Sequence, residues 1–220
     1  MNGYSFTFAG LQLEALRSGA LWWEAESVLC VSDLHLGKSE RMARRGGPML
    51  PPYEVRDTLI RLEDDLTAKA PQTVICLGDS FDDLAAADAL SDEMTAWLAT
   101  LMAGRRWIWI EGNHDAGPVG LGGTHLSSFR AGPLSFRHIA EPGEKHEISG
   151  HYHPKAKVLT RARNVTRPCF LTDETRVIMP AYGTYTGGLH SHDAALAGLM
   201  SPGATAILLS DPPVRVPMPR

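Results

Sequence analysis

Apolar runs that break off in polar, glycine-bearing clusters recur along this chain: "SVLCVSDLH", "TVICLGDSFDD", "RWIWIEGNHD" and "EISGHYH". An apolar run of about five residues fits a buried strand. Polar residues gathered where strands stop are what an open α/β sheet needs to build a site at its strand ends. Between the first two runs, Val55, Leu59, Leu62 and Leu66 fall at helical spacing, with Arg56, Arg61, Glu63 and Asp64 on a solvated face. Pro51 and Pro52 precede this helix and Pro71 follows it. A second helix is predicted from Ser91, a fitting N-cap, through Trp97, Leu98, Leu101 and Met102 to a stop at Gly104. Strand, helix, strand, helix, strand is an α/β arrangement.

The later chain reads differently. "PLSFRH", "EISGHYH", "KVLTRA", "CFLTDE", "RVIMPAY" and "AILLS" are strand-like with few helical segments between them, which predicts a second sheet packed on the first. Near the start, "LQLEAL", "RSGA" and "LWWEA" predict a hairpin in which Trp22 and Trp23 are packing residues.

A length of 220 residues suits one sizeable core and is cramped for two. Residues 1–220 are therefore expected to form one domain, with the proline-rich 211–220 as a poorly ordered tail. The start lacks the pattern of a secretory leader, and no apolar run approaches the ~20 residues that cross a bilayer. The expectation is a cytoplasmic protein with no membrane partner. Cys30, Cys76 and Cys169 show no zinc-like spacing and are expected as buried, reduced thiols. A formal charge of −4 speaks against a protein that coats nucleic acid without specificity.

The residues at the strand ends are, in order, Asp33 and His35, then Asp79, then Asn113 and His114, then His151 and His153. Imidazole and carboxylate suit divalent transition metals, and the amide oxygen of Asn can complete a harder site. Each cluster alone could be a turn or a packing residue; in combination they describe one shared site. In an extended segment residues i and i+2 share a face, so Asp33 is expected to join His35 and His151 to join His153, with Leu34 and Tyr152 pointing away. Glycines at 78, 112 and 150 would let the backbone bend and approach closely just before them.

Taken together, "DLH" at 33–35, "GDSFD" at 78–82, "GNHD" at 112–115, an isolated His and "GHYH" at 150–153 resemble the signature of the calcineurin-like metallophosphoesterases. The resemblance implies a four-layer αββα sandwich of two packed mixed sheets, a metal-dependent phosphoric ester hydrolase, and two divalent metal ions where the strand ends meet. It implies one metal held by Asp33, His35, Asp79 and His153. The other would be held by Asn113, His151, the isolated His and the bridging Asp79. Candidates for the isolated His are His125, His138 and His146. His138 ends "PLSF" before a turn and matches the strand-end placement, whereas His146 alternates with Ile148 as a packing residue would. The resemblance makes His114 the group that protonates or stabilises the leaving oxygen. Asp115 would orient His114 or serve as a helix cap, and Asp82 would hydrogen-bond a ligand or nearby backbone without touching metal.

A finer set of segments, "HLGK", Arg41, Gly46, "LPPY", "CLGDSFDD", "ISGHYHP" and "MPAYGTYTGGL", is similar to the bacterial DNA-ligase-associated metallophosphoesterases. That likeness implies a manganese-dependent phosphodiesterase or endonuclease acting on DNA, encoded with a ligase, a helicase and an exonuclease of DNA repair. Iron and zinc suit the same donors. Basic residues follow both the first and the last motif: Lys38, Arg41, Arg44 and Arg45, then Lys155, Lys157, Arg161, Arg163 and Arg167. They either attract a polyanion or form the solvated side of a loop and a strand. Lys38, Arg41 and Arg44 are the expected substrate-binding set. Two other readings stay open: a small-molecule phosphodiesterase or phosphomonoesterase with the same ligands, and a non-catalytic scaffold. A scaffold should have lost ligands or the His114 position, and here all are present.

Overall fold

A computed structural model describes residues 3–117, 120–159 and 164–220. The first sheet runs, in spatial and chain order, β1 (Tyr4–Phe8), β2 (Leu11–Ala15), β3 (Leu21–Trp23), β4 (Val28–Val31), β5 (Thr73–Leu77), β6 (Arg106–Ile110) and β7 (Thr124–Leu126). Its first four strands are antiparallel, and β4 to β7 are parallel. Parallel neighbours need crossover connections. α1 (Lys38–Arg44) and α2 (Glu54–Lys69) lie in the connection from β4 to β5, and α3 (Leu84–Asp88) and α4 (Asp92–Met102) in that from β5 to β6. The Ser91 hydroxyl caps α4 by accepting from the Met94 N–H at 3.3 Å.

The second sheet contains β8 (Ser128–Ala131), β9 (Leu134–Arg137), β10 (Glu147–Ser149), β11 (Lys155–Leu159), β12 (Asn164–Thr172), β13 (Arg176–Ile178), β14 (Thr205–Leu208) and β15 (Val214–Pro217), with α5 (Ala194–Leu199) before β14. The spatial order is β15-β14-β12-β13-β10-β9-β8, and β11 pairs with β12 beside this path. The trio β9, β10 and β13 is parallel and the other pairs are antiparallel.

Side-chain alternation explains the layering. From β4, Val28 and Cys30 enter the core between the sheets, while Leu29 and Val31 face the helices. A strand covered on both faces has no polar side, which is why it reads as an unbroken apolar run. Between the sheets, Phe6, Leu13, Ile75 and Ile108 meet Phe136, Ile148, Phe170 and Ile207. Outside the first sheet, Leu59, Leu62 and Leu66 of α2 and Leu98 and Leu101 of α4 cover Val74, Cys76 and Trp109. Outside the second sheet, Leu196 of α5 covers Cys169, Leu171, Ile178 and Ala206. Helix, sheet, sheet, helix is the four-layer αββα sandwich expected. Trp22 and Trp23 pack on opposite faces of their hairpin. The three cysteines are buried and unpaired, and burial raises each thiol pKa, so no reactive thiolate competes as a nucleophile. No described helix is long and apolar enough to cross a membrane.

Two expectations need correction. Residues 38–44, for which a solvated loop is one of the two readings, form α1, which begins at Gly37 in a left-handed conformation (φ 83°). The supposed tail contains β15, whose Val214, Arg215, Val216 and Pro217 pair with Leu208 to Thr205 of β14. Proline density suggested disorder, but an edge strand tolerates proline because one of its sides has no ladder to complete. Met218 beyond it is 6% exposed in the outer core. Arg161 and Arg163 lie outside the described residues. Met218→Ala should lower the unfolding free energy by about 2 kcal/mol, measured by urea titration; an unchanged midpoint would mean that the C-terminal strand adds no stability.

Candidate metal centre

Five of the motif residues sit just past the strand ends in left-handed backbone. Asp33 (φ 53°) and His35 (φ 45°) follow β4, Asp79 (φ 46°) follows β5, and His151 (φ 71°) and His153 (φ 47°) follow β10. The expected strand alternation is therefore corrected: these pairs converge through tight turns, not along an extended segment. Of the ten described non-glycine residues with positive φ, these make five, so the strain collects at the motifs. The first two turns brace each other. His35 N–H donates to the Asp79 carbonyl at 2.9 Å, Leu36 N–H to the Ser80 carbonyl at 2.9 Å, and Asp82 N–H to the Leu36 carbonyl at 3.0 Å. Leu34 points away into the core beneath the helices, as expected.

The side chains form three close donor groups, one of them His35, Asp82 and His114, and the other two match the expected metal sites. In one, ligand atoms of Asp33, His35 and His153 lie within 4.8 Å of one another. His153 Nε2 is 3.1 Å from Asp33 Oδ1. In the other, Asp79, His138 and His151 meet the same criterion. His138 Nε2 lies 3.3 Å from Asp79 Oδ2, 2.9 Å from Asn113 Oδ1 and 3.2 Å from His151 Nδ1. Asp79 Oδ2 is also 4.0 Å from His35 Nε2, so this carboxylate stands between the groups. His151 and His153 thus serve different groups. His138 is the isolated histidine brought here, whereas His125 stacks on Trp109 and His146 lies edge-on to Phe8.

Three of the rings are oriented through Nδ1. His138 Nδ1–H donates to the Leu77 carbonyl at 2.8 Å, leaving Nε2 toward Asp79. His35 Nδ1–H donates to Asp82 Oδ1 at 2.8 Å, leaving Nε2 toward the first group. His114 Nδ1–H donates to the Asp82 carbonyl at 2.8 Å. Asp82 touches a candidate ligand, as expected, and its other oxygen accepts from Arg41 Nε.

This donor set fits cations. Asp33 Oδ1, His35 Nε2 and His153 Nε2 are buried with no hydrogen-bond partner. In the second group, lone pairs of Asp79, Asn113, His138 and His151 face one another. Buried acceptors in mutual contact are unfavourable unless positive charge sits among them. Burial raises the Asp79 carboxyl pKa, but when a proton on His138 Nε2 takes the place of a cation, its hydrogen bond and charge, with the His114 N–H, outweigh burial and hold the group at about 2. Burial likewise opposes ionisation of Asp33, and His153 outweighs it, so both carboxylates are charged at neutral pH.

Asp115 and the first basic run depart from expectation. Asp115 Oδ1 accepts from Gly112 N–H and Asp79 N–H, both at 3.0 Å, and Oδ2 from Ser80 N–H at 2.7 Å and Phe81 N–H at 3.1 Å. It clamps backbone, whereas His114 is oriented by the Asp82 carbonyl. Gly112 is required here, because a Cβ would collide with Asp79 N and its carboxylate. A Cβ on Gly78 (φ 79°) would stand 2.6 Å from His138 Nδ1. Arg41, expected on substrate, is engaged by Asp82, and Arg44 by Asp83 at 2.8 Å and Glu40 at 3.0 Å. Both are held in ion pairs because Asp82 and Asp83, at the end of the second motif, fold against α1. Lys38 alone of that set makes no ion pair among the described residues.

Sequence reasoning missed Ser32, whose hydroxyl donates to Asp33 Oδ2, and the supporting role of "MPAYGTYTGGL". There Tyr182 N–H donates to the Ser32 carbonyl at 2.7 Å and Gly183 N–H to the Asp33 carbonyl at 3.1 Å. Two clefts open on the site, about 330 Å³ beside Asn113 and His138 and about 240 Å³ beside His153. A larger one of about 410 Å³ lies along β1 to β3 and touches none of these residues.

Comparison with known proteins accords with this geometry. The chain is similar to the Pseudomonas putida nuclease MPE, whose crystal structure superposes with a TM-score of 0.75 at 27% identity, covering 97% of this chain and 100% of that one. No curated protein matches. The sequence model of the calcineurin-like phosphoesterases matches residues 27–204, a span that holds both donor groups, and the chain belongs to that family.

Proposed function

We propose that this protein is a dinuclear-metal-dependent phosphodiesterase with DNA as its substrate, a nuclease. The observation that carries the reading is the position of Asp79 Oδ2, 3.3 Å from His138 Nε2 in its own donor group and 4.0 Å from His35 Nε2 in the other, as a carboxylate shared by two cations would be. Asp33, His35, His153 and Asp79 would hold one metal; Asp79, Asn113, His138 and His151 would hold the other. When bound, two such cations supply the Lewis acidity that makes water a nucleophile near neutral pH and offset the charge that builds on the phosphoryl group. Oxygen and nitrogen donors suit manganese, iron or zinc, and manganese follows from the likeness to the ligase-associated enzymes. The repair setting rests on that likeness too, and the DNA substrate draws support from the similarity to a nuclease.

The remaining roles belong to the chain itself. His114 is fixed through Nδ1 on the Asp82 carbonyl, so Nε2 can carry a proton to the leaving oxygen. Arg41 neutralises the fully buried Asp82 and through it holds the His35 tautomer. Asp115 transfers no proton; it keeps the loops after β5 and β6 in register.

Metal-reconstituted protein should hydrolyse an aryl phosphodiester and DNA, and activity on an aryl phosphomonoester alone would overturn the assignment. His114→Ala should reduce DNA cleavage by about 10²-fold or more; an unchanged rate would remove His114 from proton transfer. Arg41→Ala should weaken metal binding by about tenfold, read by titration calorimetry, while Arg44→Ala should not. Equal affinities in those two variants would place Arg41 with the solvated charges. Asp115→Ala leaves four buried N–H groups without their acceptor and should cost about 3 kcal/mol, or roughly 10 °C in Tm by calorimetry.

A further inference from the structure

The second basic run is arranged differently from the first. In the β11–β12 hairpin, Lys155 faces Pro168, Ala156 faces Arg167 and Lys157 faces Thr166. Directly opposed residues of an antiparallel pair share a face, and successive residues alternate. Lys155, Lys157 and Thr166 therefore lie on one side of the hairpin, while Ala156 packs into the outer core on the other. The lysine side looks onto the cleft of about 240 Å³, which is lined by His153, Lys155, Thr166, Pro168, Ala181 and Thr186 among others. His153 is a candidate metal ligand, so whatever occupies this cleft adjoins the site.

The opposite wall is fixed by backbone. Lys155 N–H donates to the Leu189 carbonyl at 2.8 Å, Leu189 N–H to the Tyr152 carbonyl at 3.1 Å, and Gly183 N–H to the Asp33 carbonyl at 3.1 Å. The Thr186 hydroxyl donates to the Gly183 carbonyl at 3.0 Å and is committed to that wall. Among the described residues, the hydroxyl of Thr166 and the ammonium of Lys155 are side-chain donors on this cleft with no protein partner. Unlike Arg41, Arg44 and Arg45, neither Lys155 nor Lys157 makes an ion pair among the described residues. An ammonium and a hydroxyl on a narrow cleft recognise a phosphate group. At about 240 Å³ the cleft is below the size of a typical small-molecule pocket.

We propose that this cleft is a subsite for a second phosphate of the substrate, next along the chain from the one being hydrolysed, with Lys155 and Thr166 as its donors. Lys157 continues the same face outward. The proposal rests on the phosphodiesterase reading above and adds to it the requirement for more than one phosphate.

The test compares native protein, Lys155→Gln and Thr166→Val on a dinucleoside with one phosphate and a pentanucleotide with four. Arg56→Gln, which removes one charge from the far helical layer, serves as control; that side chain is 63% exposed and, among the described residues, pairs only with Glu93 at 3.7 Å. Lys155→Gln should reduce the pentanucleotide-to-dinucleoside ratio of kcat/KM about tenfold, chiefly through KM, and Thr166→Val should reduce it in the same direction. The slope of log affinity against log salt for a labelled oligonucleotide should fall by about one in Lys155→Gln and not in Arg56→Gln. A Lys155→Gln protein indistinguishable from Arg56→Gln in both ratio and slope overturns the subsite. Native protein that cleaves neither compound overturns the reaction proposed above, while the salt slope still decides the subsite.

Discussion

One buried carboxylate, Asp115, gathers four backbone N–H groups from two loops, and the geometry of the centre hangs on that gathering. Asp79 occupies left-handed backbone, which costs a non-glycine residue about 1–2 kcal/mol. Hydrogen bonds to a charged acceptor contribute about 1.5–3 kcal/mol each. The donors from Asp79, Ser80 and Phe81 therefore more than offset the strained turn they enclose. The same clamp fixes Gly112, so Asn113 leaves the end of β6 toward His138 and not toward solvent. Asp115 acts here through its carboxylate on backbone N–H groups, and Gly112 through its own N–H and its lack of a Cβ.

Charge is handled in the same layered way. Asp82 is fully buried, and an unpaired carboxylate there would be strongly destabilising. It is held between the Arg41 guanidinium and the His35 ring, so a surface helix, a buried acid and a candidate ligand form one chain of contacts. Arg44 and Arg45 converge on Asp83 in the same way at the surface. The first basic run thus stabilises the loop after the second motif, and its positive charge is largely cancelled before any substrate arrives.

How much of this was legible in the sequence depends on how local the signal is. The strands that end in motifs, helices α2 and α4, the hairpin with Trp22 and Trp23, and His138 at the close of "PLSF" all follow from periodicity and position within a few residues. The partners of Asp115 and Arg41 do not. Asp115 meets Asp79 across 36 positions and Arg41 meets Asp82 across 41, and residue type alone says only that an acid will find donors and an arginine an acid. Left-handed turns at Asp33, His35, Asp79, His151 and His153 were illegible for another reason. Aspartate and histidine tolerate that region without announcing it, whereas glycine announces it even where it is not used. The C-terminal strand was hidden by its prolines, which bar a central strand but not an edge.

A chain of net charge −4 acting on a polyanion looks contradictory only if charge is summed over the whole surface. Exposed charges separated by more than about 8 Å are largely screened at physiological ionic strength, so the local balance decides. At the centre, Asp33 and Asp79 are aimed inward at the positions cations would fill, and Asp82 is already paired. None of the three presents unbalanced negative charge to an approaching phosphate once those positions are occupied. On the rim, the α1 arginines are matched by acids, whereas among the described residues the lysines of β11 are not. The net field at the mouth is therefore set by Lys38 and by the hairpin that follows "GHYH", and the same strand end that supplies His153 also supplies a positive charge unmatched among the described residues, Lys155.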